Sequence, residues 1–224
     1  MRRIIKGQEP EELRRWKDVE VPQNLTYANM PKAGVKRQML VEQGFLCAYT
    51  MQQISTLDDC HIEHIVPQSQ PGEDPLLNIA YNNLLACTPG DRFGHRPLGG
   101  KSPFGAQAKG GAIVDENNFV SPLREDVENR FQYAADGTVA HRVGDQAAKS
   151  TIGILRLDHQ QLIDLRKAAI EERVFPPEAA LSSKEAQNLS RVIMYANGDG
   201  RLPEFCVAIS QAAAWYANRV GDGN

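Results

Sequence analysis

Cys60-His61-Ile62-Glu63-His64-Ile65-Val66-Pro67-Gln68-Ser69, followed by Tyr81-Asn82-Asn83-Leu84-Leu85-Ala86-Cys87, is the stretch on which the reading of this chain turns. As a strand, it points residues 61 and 63 to one face and residues 62 and 64 to the other. Pro67 ends the strand, and a bend at 65–67 would bring His64 alongside Glu63 at the mouth of a site. A carboxylate beside an imidazole is useful chemistry: the first holds a hard divalent cation, the second takes a proton from water near neutral pH. A downstream asparagine, Asn83, can orient such an imidazole or add its carbonyl oxygen to a coordination sphere. Spacing alone leaves alternatives open, since His61 and His64 also suit half of a structural zinc site or a pair of buried, hydrogen-bonded side chains. The zinc-protease helix pattern, His-Glu-x-x-His, does not match.

Outward from this stretch, Pro10 to Lys17 reads as a short helix with Leu13 and Trp16 on one face, and Val35 to Gln43 as another that Gly44 terminates. Extended pieces are expected at 45–49 and 61–66. The stretch 89–111 holds ten glycines and prolines and reads as a long irregular loop. Asp136-Gly137, between 129–133 and 138–141, predicts a β-hairpin. From Ser150 the spacing turns helical, placing Leu157, Leu162, Leu165, Ile170 and Val174 on one face up to Pro176-Pro177. Ser182 and Glu185 form an N-cap signature for a further helix, and a last helix is expected over 203–220. The expected architecture is α+β, a small mixed centre between helical flanks.

The chain has 224 residues, 42% of them hydrophobic and 24% charged, within the range of an ordinary globular protein. No apolar run approaches a bilayer-spanning length, and the basic start, residues 1–7, lacks the apolar stretch of a secretory signal. Four cysteines, at 47, 60, 87 and 206, are too few for a disulfide framework, so a reducing, cytoplasmic setting is expected. Net charge is −3, but it is unevenly spread: +4 over 1–40, −6 over 41–87, +3 over 88–110 and −4 thereafter. An acidic block between basic ones suits a cation site flanked by phosphate contacts, and equally suits ordinary solvated faces.

Glu63-His64-Ile65-Val66-Pro67, followed by Asn83-Leu84-Leu85 with Asn83 nineteen residues after His64, resembles the HNH endonucleases, the ββα-metal nucleases. Residues 1–7, Gln43 to Tyr49, Ser121-Pro122-Leu123, Glu128 to Phe131, Asp136-Gly137-Thr138 and Thr151 to Leu157 are similar, in order, to the HNH subunit of the Septu anti-phage system, a group that includes retron-associated HNH effectors. The likeness spans at least residues 1–170. It implies a ββα-metal core over 41–115, a helical arm over 1–40, and a hairpin and helical subdomain over 116–224. It also implies a metal-dependent endonuclease acting on nucleic acid, DNA first, with a ribonuclease on structured RNA such as tRNA as an alternative. His64 takes the general-base position, Glu63 the acidic metal position, Asn83 the middle letter of the motif and His61 a further metal-side position.

The implied cofactor is one Mg²⁺ or Mn²⁺. The implied partners are an ABC/SMC-like ATPase subunit, since no nucleotide-binding loop occurs in this chain, and in retron-associated systems a reverse transcriptase with its RNA–DNA hybrid. Two departures stand out. The family's Cys-x-x-Cys pair reads Cys47-Ala48-Tyr49-Thr50, and Cys87 has no cysteine partner near residue 101, so no structural Cys₄ zinc is expected; a set rebuilt from Cys47, Cys60, Cys87 and His95 is the alternative. The closing helix, Gly105 to Gly110, keeps Lys109 but has alanine where a metal ligand belongs, leaving His95 as substitute. Lys109, Arg96 and Arg92 are expected at phosphate, with a solvated surface as the alternative for Lys109. These losses also support a second class of reading, an HNH fold kept for binding or assembly alone. Asp58-Asp59, His141 and His159 are expected to be structural or solvated.

Overall fold

In the computed structural model, residues 1–70, 74, 76–90, 102–177 and 180–220 are described. β1 (His61–His64) pairs antiparallel with β2 (Leu84–Cys87), with His61 opposite Cys87 and His64 opposite Leu84. Along β1 the residues alternate between half-buried and buried, while β2 is buried throughout. A strand as apolar as Leu84-Leu85-Ala86-Cys87 needs cover on its second edge. α2 (Lys32–Glu42) provides it through the residue that follows, Gln43. The Gln43 amide donates to the carbonyls of Leu46 and Ala86 and accepts from the Ala86 N–H, and Ala48 N–H also donates to Ala86. One side chain thus stands in for a third strand. The extended piece expected at 45–49 is reduced to a single bridge between Leu46 and Gln53. The cause is local, because Gly44 and Phe45 both have positive φ (58° and 61°) and turn the chain sharply.

α1 (Glu11–Val19) follows Pro10 as expected and buries Leu13. α3 (Ala106–Lys109) is a single turn inside the stretch read as irregular, and α4 (Val127–Arg130) leads into β3 (Phe131–Tyr133). β3 pairs with β4 (Val139–His141), Phe131 opposite His141. Their connection is the expected Asp-Gly turn: Asp136 Oδ1 accepts from the Thr138 N–H and hydroxyl, and Gly137 has φ of 83°. A Cβ at Gly137 would lie 2.2 Å from the Ile163 carbonyl oxygen, so glycine is required there for space as well as conformation.

The helical run expected from residue 150 is two helices, α5 (Gln146–Leu155) and α6 (Gln160–Val174). Arg156 in the left-handed region ends the first, and His159 caps the second by accepting from the Gln161 N–H. The break shifts the helical register, which turns Leu165 partly outward and buries Arg166 in its place. α7 (Ser183–Val192) starts on the expected capping box of Ser182 and Glu185, and α8 (Cys206–Ala217) packs on α7 and α6. Ahead of α8 the chain is sewn onto the segment after α2. Leu202 N–H donates to the Gly44 carbonyl, Phe205 N–H to Met51, Arg201 to Ile54 and Ser55, and Gln53 N–H to the Glu204 carboxylate.

The described residues form a mixed α+β structure of eight α-helices and two small antiparallel sheets. One apolar core, running from Met1 through Leu84 and Phe131 to Ala213, draws on the 1–40, 41–115 and 116–224 segments alike. Among the described residues, no helix is long and apolar enough to cross a membrane.

Candidate active site

β1 delivers a carboxylate, Glu63, and an imidazole, His64, from adjacent positions, and two different frameworks hold them. Glu63 is held by charge. Lys109, brought in by α3, donates from Nζ to Glu63 Oε1 at 2.8 Å and to the His64 carbonyl oxygen at 2.8 Å. On the other oxygen, Oε2, His61 Nε2 approaches to 3.8 Å. His61 Nδ1–H donates to the Pro89 carbonyl at 2.7 Å, which fixes the ring with Nε2 turned to the carboxylate. Burial disfavours a charged His61, but Glu63 and the Pro89 carbonyl outweigh it and hold its pKa above the ordinary value.

His64 is held by the backbone. Its Nε2 lies 2.9 Å from the Asn78 carbonyl oxygen, which can only accept, so Nε2 carries the proton and Nδ1 carries the lone pair. The Gln68 amide reaches Nδ1 at 3.3 Å, and the Tyr27 ring packs edge-on at 4.7 Å. Desolvation lowers the His64 pKa, with Lys109 adding to it against the Asn78 carbonyl and Glu63. The imidazole is therefore neutral at neutral pH, as a proton acceptor must be. Glu63, His64, Gln68, Lys109 and Tyr27 line one open cleft of about 390 Å³.

The Asn83 side chain is engaged by the backbone. Its Oδ1 accepts from the Val66 N–H at 2.8 Å, and Nδ2 donates to the Val66 and Leu77 carbonyls. These bonds tie its amide to the backbone, and none of them reaches His64. It pins the bend after β1 to the turn at 77–79, whose Asn78 carbonyl fixes His64. Asn83 thus supports the turn whose Asn78 carbonyl holds His64. Lys109 departs from expectation: its side chain is 1% exposed and sits on Glu63 rather than in solvent or free for phosphate. His95, Arg96 and Arg92 lie outside the described residues.

All four cysteines are buried thiols, and none is in a disulfide. Cys47 and Cys87 hydrogen-bond to each other, and burial together with that bond pushes the Cys87 thiol up. Cys60 donates to the Leu57 carbonyl. Asp59 caps the turn at 57–59 through Thr56, and His141 hydrogen-bonds the Arg142 carbonyl at the surface. Among the described residues, no group of three or more His, Cys, Asp or Glu side chains is arranged to hold a metal ion.

The donor set still fits a lighter form of metal site. His61 Nε2 and Glu63 Oε2 face each other across 3.8 Å, and the distal ring nitrogen of His61 is anchored on a carbonyl, as ligating histidines usually are. Mg²⁺ and Mn²⁺ are commonly held by one or two protein groups, with waters and phosphate oxygens completing the sphere.

Residues that the sequence reading missed are Asn78, Gln68 and Tyr27. Gln68, four residues past His64, carried the only available signal. Asn78 acts through its backbone and Tyr27 arrives from a distant loop, so neither leaves a pattern. No protein-family model matches the chain, and a search of curated proteins found no match.

Proposed function

We propose that this protein is a metal-dependent endonuclease of the HNH kind, hydrolysing phosphodiester bonds in nucleic acid, with DNA as the first substrate. The observation that supports it most is His64, a neutral imidazole fixed by a carbonyl on Nε2 with its Nδ1 lone pair at an open cleft beside a carboxylate. The antiparallel β1–β2 pair, with the one-turn α3 bringing Lys109 back onto Glu63, supports this reading.

In this reading, a water in the cleft displaces the long Gln68 contact and gives its proton to His64 Nδ1 as its oxygen attacks phosphorus. The imidazolium so formed is stabilised by the Asn78 carbonyl and by Glu63. A divalent ion on Glu63 Oε2 and His61 Nε2 would supply Lewis-acid stabilisation of the phosphate and the departing 3′ oxygen. Tyr27 packs against the base, and Lys109 holds the acid in place. The remaining elements of the proposal, action within an anti-phage complex and an ATPase partner, rest on the Septu resemblance.

The test is cleavage of DNA and of tRNA by the purified chain, with and without the ATPase, in Mg²⁺ or Mn²⁺. His64→Ala is expected to lower the rate by about 10²–10⁴, the usual worth of a general base, with folding retained. A second reading, a binding or assembly module without catalysis, is favoured by the engagement of Glu63 Oε1 by the buried Lys109. Equal behaviour of wild type and His64→Ala in the assembled complex would select it.

A further inference from the structure

We propose that Lys109 is a resident cation that sets the divalent-ion affinity of the Glu63 site, keeping it low until a phosphate arrives. This rests on the metal-dependent reading above and adds a residue to it. Lys109 is a positioning residue here, acting through Glu63.

Lys109 Nζ is within 2.8 Å of both Glu63 Oε1 and the His64 carbonyl, with its side chain almost fully buried. A buried ammonium and its carboxylate form a pair in which removing either partner leaves the other charge uncompensated. Its consequence for metal binding is geometric first. With Oε1 engaged by the ammonium, the carboxylate offers one oxygen, Oε2, beside His61 Nε2. Chelation by both oxygens would require Lys109 to leave a buried position.

The second consequence is electrostatic. A divalent ion on Oε2 would sit a few ångströms from a fixed positive charge, and that repulsion is strong where water is scarce. A phosphodiester brings negative charge and oxygen donors together, offsetting the repulsion and completing the sphere at once. The site is built to fill with ion and phosphate jointly, and to remain weakly occupied by the ion alone. Such an arrangement makes the ion's affinity a property of Lys109.

The experiment is titration of wild type, Lys109→Met, Lys109→Gln and Glu63→Ala with Mn²⁺ alone, reading free ion by electron paramagnetic resonance after circular dichroism has verified each fold. Lys109→Gln keeps an N–H donor toward Glu63 and the His64 carbonyl while removing the charge, so it serves if the methionine variant does not fold. Both neutral variants are expected to bind Mn²⁺ about tenfold or more tightly than wild type, the scale of removing a nearby like charge, and Glu63→Ala to lose the binding. A purely structural lysine would leave affinity unchanged or weaken it, and that outcome, with Glu63→Ala still deficient, overturns the proposal while leaving the metal site standing. No difference between Glu63→Ala and the others overturns the metal site itself and this proposal with it. Failure of both neutral variants to fold, with Glu63→Ala folded, also overturns it by making Lys109 part of the scaffold.

Discussion

Lys109 and Arg166 are two buried cations, each attached to one of the two small sheets, and they are buried in different ways. Lys109 meets a carboxylate and a carbonyl at the edge of an open cleft. Arg166, 1% exposed, meets only carbonyls, Gly137 through Nε and Leu157 through a terminal nitrogen, each at 2.7 Å, under the Tyr133 ring. Burial lowers the Arg166 pKa, and Tyr133 and Asp158 offset this in part, while the guanidinium stays charged. A fork of fixed donors suits two carbonyls from different elements, here the β3–β4 turn and the α5–α6 junction. The contrast separates scaffold from site: a cation serving carbonyls deep inside joins elements, whereas one gripping a carboxylate at a cleft controls a group that other chemistry can use.

The largest effect that would test this contrast is at Arg166. Arg166→Met should destabilise the fold by about 4 kcal/mol in urea unfolding, because two buried carbonyls are orphaned at about 1–3 kcal/mol each. A loss under 1 kcal/mol would remove its scaffold role. Next, Glu63→Ala strands the Lys109 charge, and about 3 kcal/mol should be lost, near the lower end for breaking a buried pair because one side is open. Adding Lys109→Met to that variant should restore part of the loss; additive losses in the double variant would mean the two side chains are not coupled.

Asn83→Ala follows at about 2 kcal/mol, since it frees the Val66 and Leu77 backbone groups near a cleft that water can enter. The sharper readout is His64, whose imidazole resonances should broaden once the 77–79 turn loosens; an unchanged ring environment would show that Asn83 does not position the base.

The smallest effect lies behind the site, where Lys6 Nζ is 3.6 Å from Glu42 Oε2 and 3.9 Å from the Tyr81 ring centre. Burial pulls Lys6 from 10.5 down to about 8, with Glu42 opposing. The folded chain therefore releases this proton before the unfolded chain does, and stability rises with pH between those two values. Relative to Lys6→Met, wild-type stability should climb by about 1 kcal/mol from pH 7.5 to 9. Parallel pH profiles for the two proteins would contradict the assignment.

How far the sequence disclosed this structure depended on the range of the forces involved. The β3–β4 hairpin was legible because Asp136-Gly137 is local turn chemistry, and α7 because Ser182 and Glu185 cap it within one turn. The strand at 61–64 and its acid–base neighbours were also legible, through alternation ended by Pro67. The Gln43 side chain replacing a strand, the break at Arg156 and the burial of Arg166 were not, since each is settled by residues far away in sequence. The same limit applied at the site: a carboxylate beside a histidine could be read from one short stretch, but not that Asn83 would serve backbone groups or that Lys109 would occupy Glu63.

The stitching of 201–205 onto 44–55 has a consequence for the order of events as the chain is made. Gly44, Met51, Gln53 and Ile54 emerge from a ribosome roughly 150 residues before Leu202, Phe205, Glu204 and Arg201, their hydrogen-bond partners. At about 5–20 residues per second, that interval lasts on the order of ten seconds. Throughout it, the segment 44–55 lacks the hydrogen-bond partners that close it. Its closure is therefore a late event in biosynthesis, and a ribosome that stops short of residue 200 releases a chain in which that segment stays unstitched.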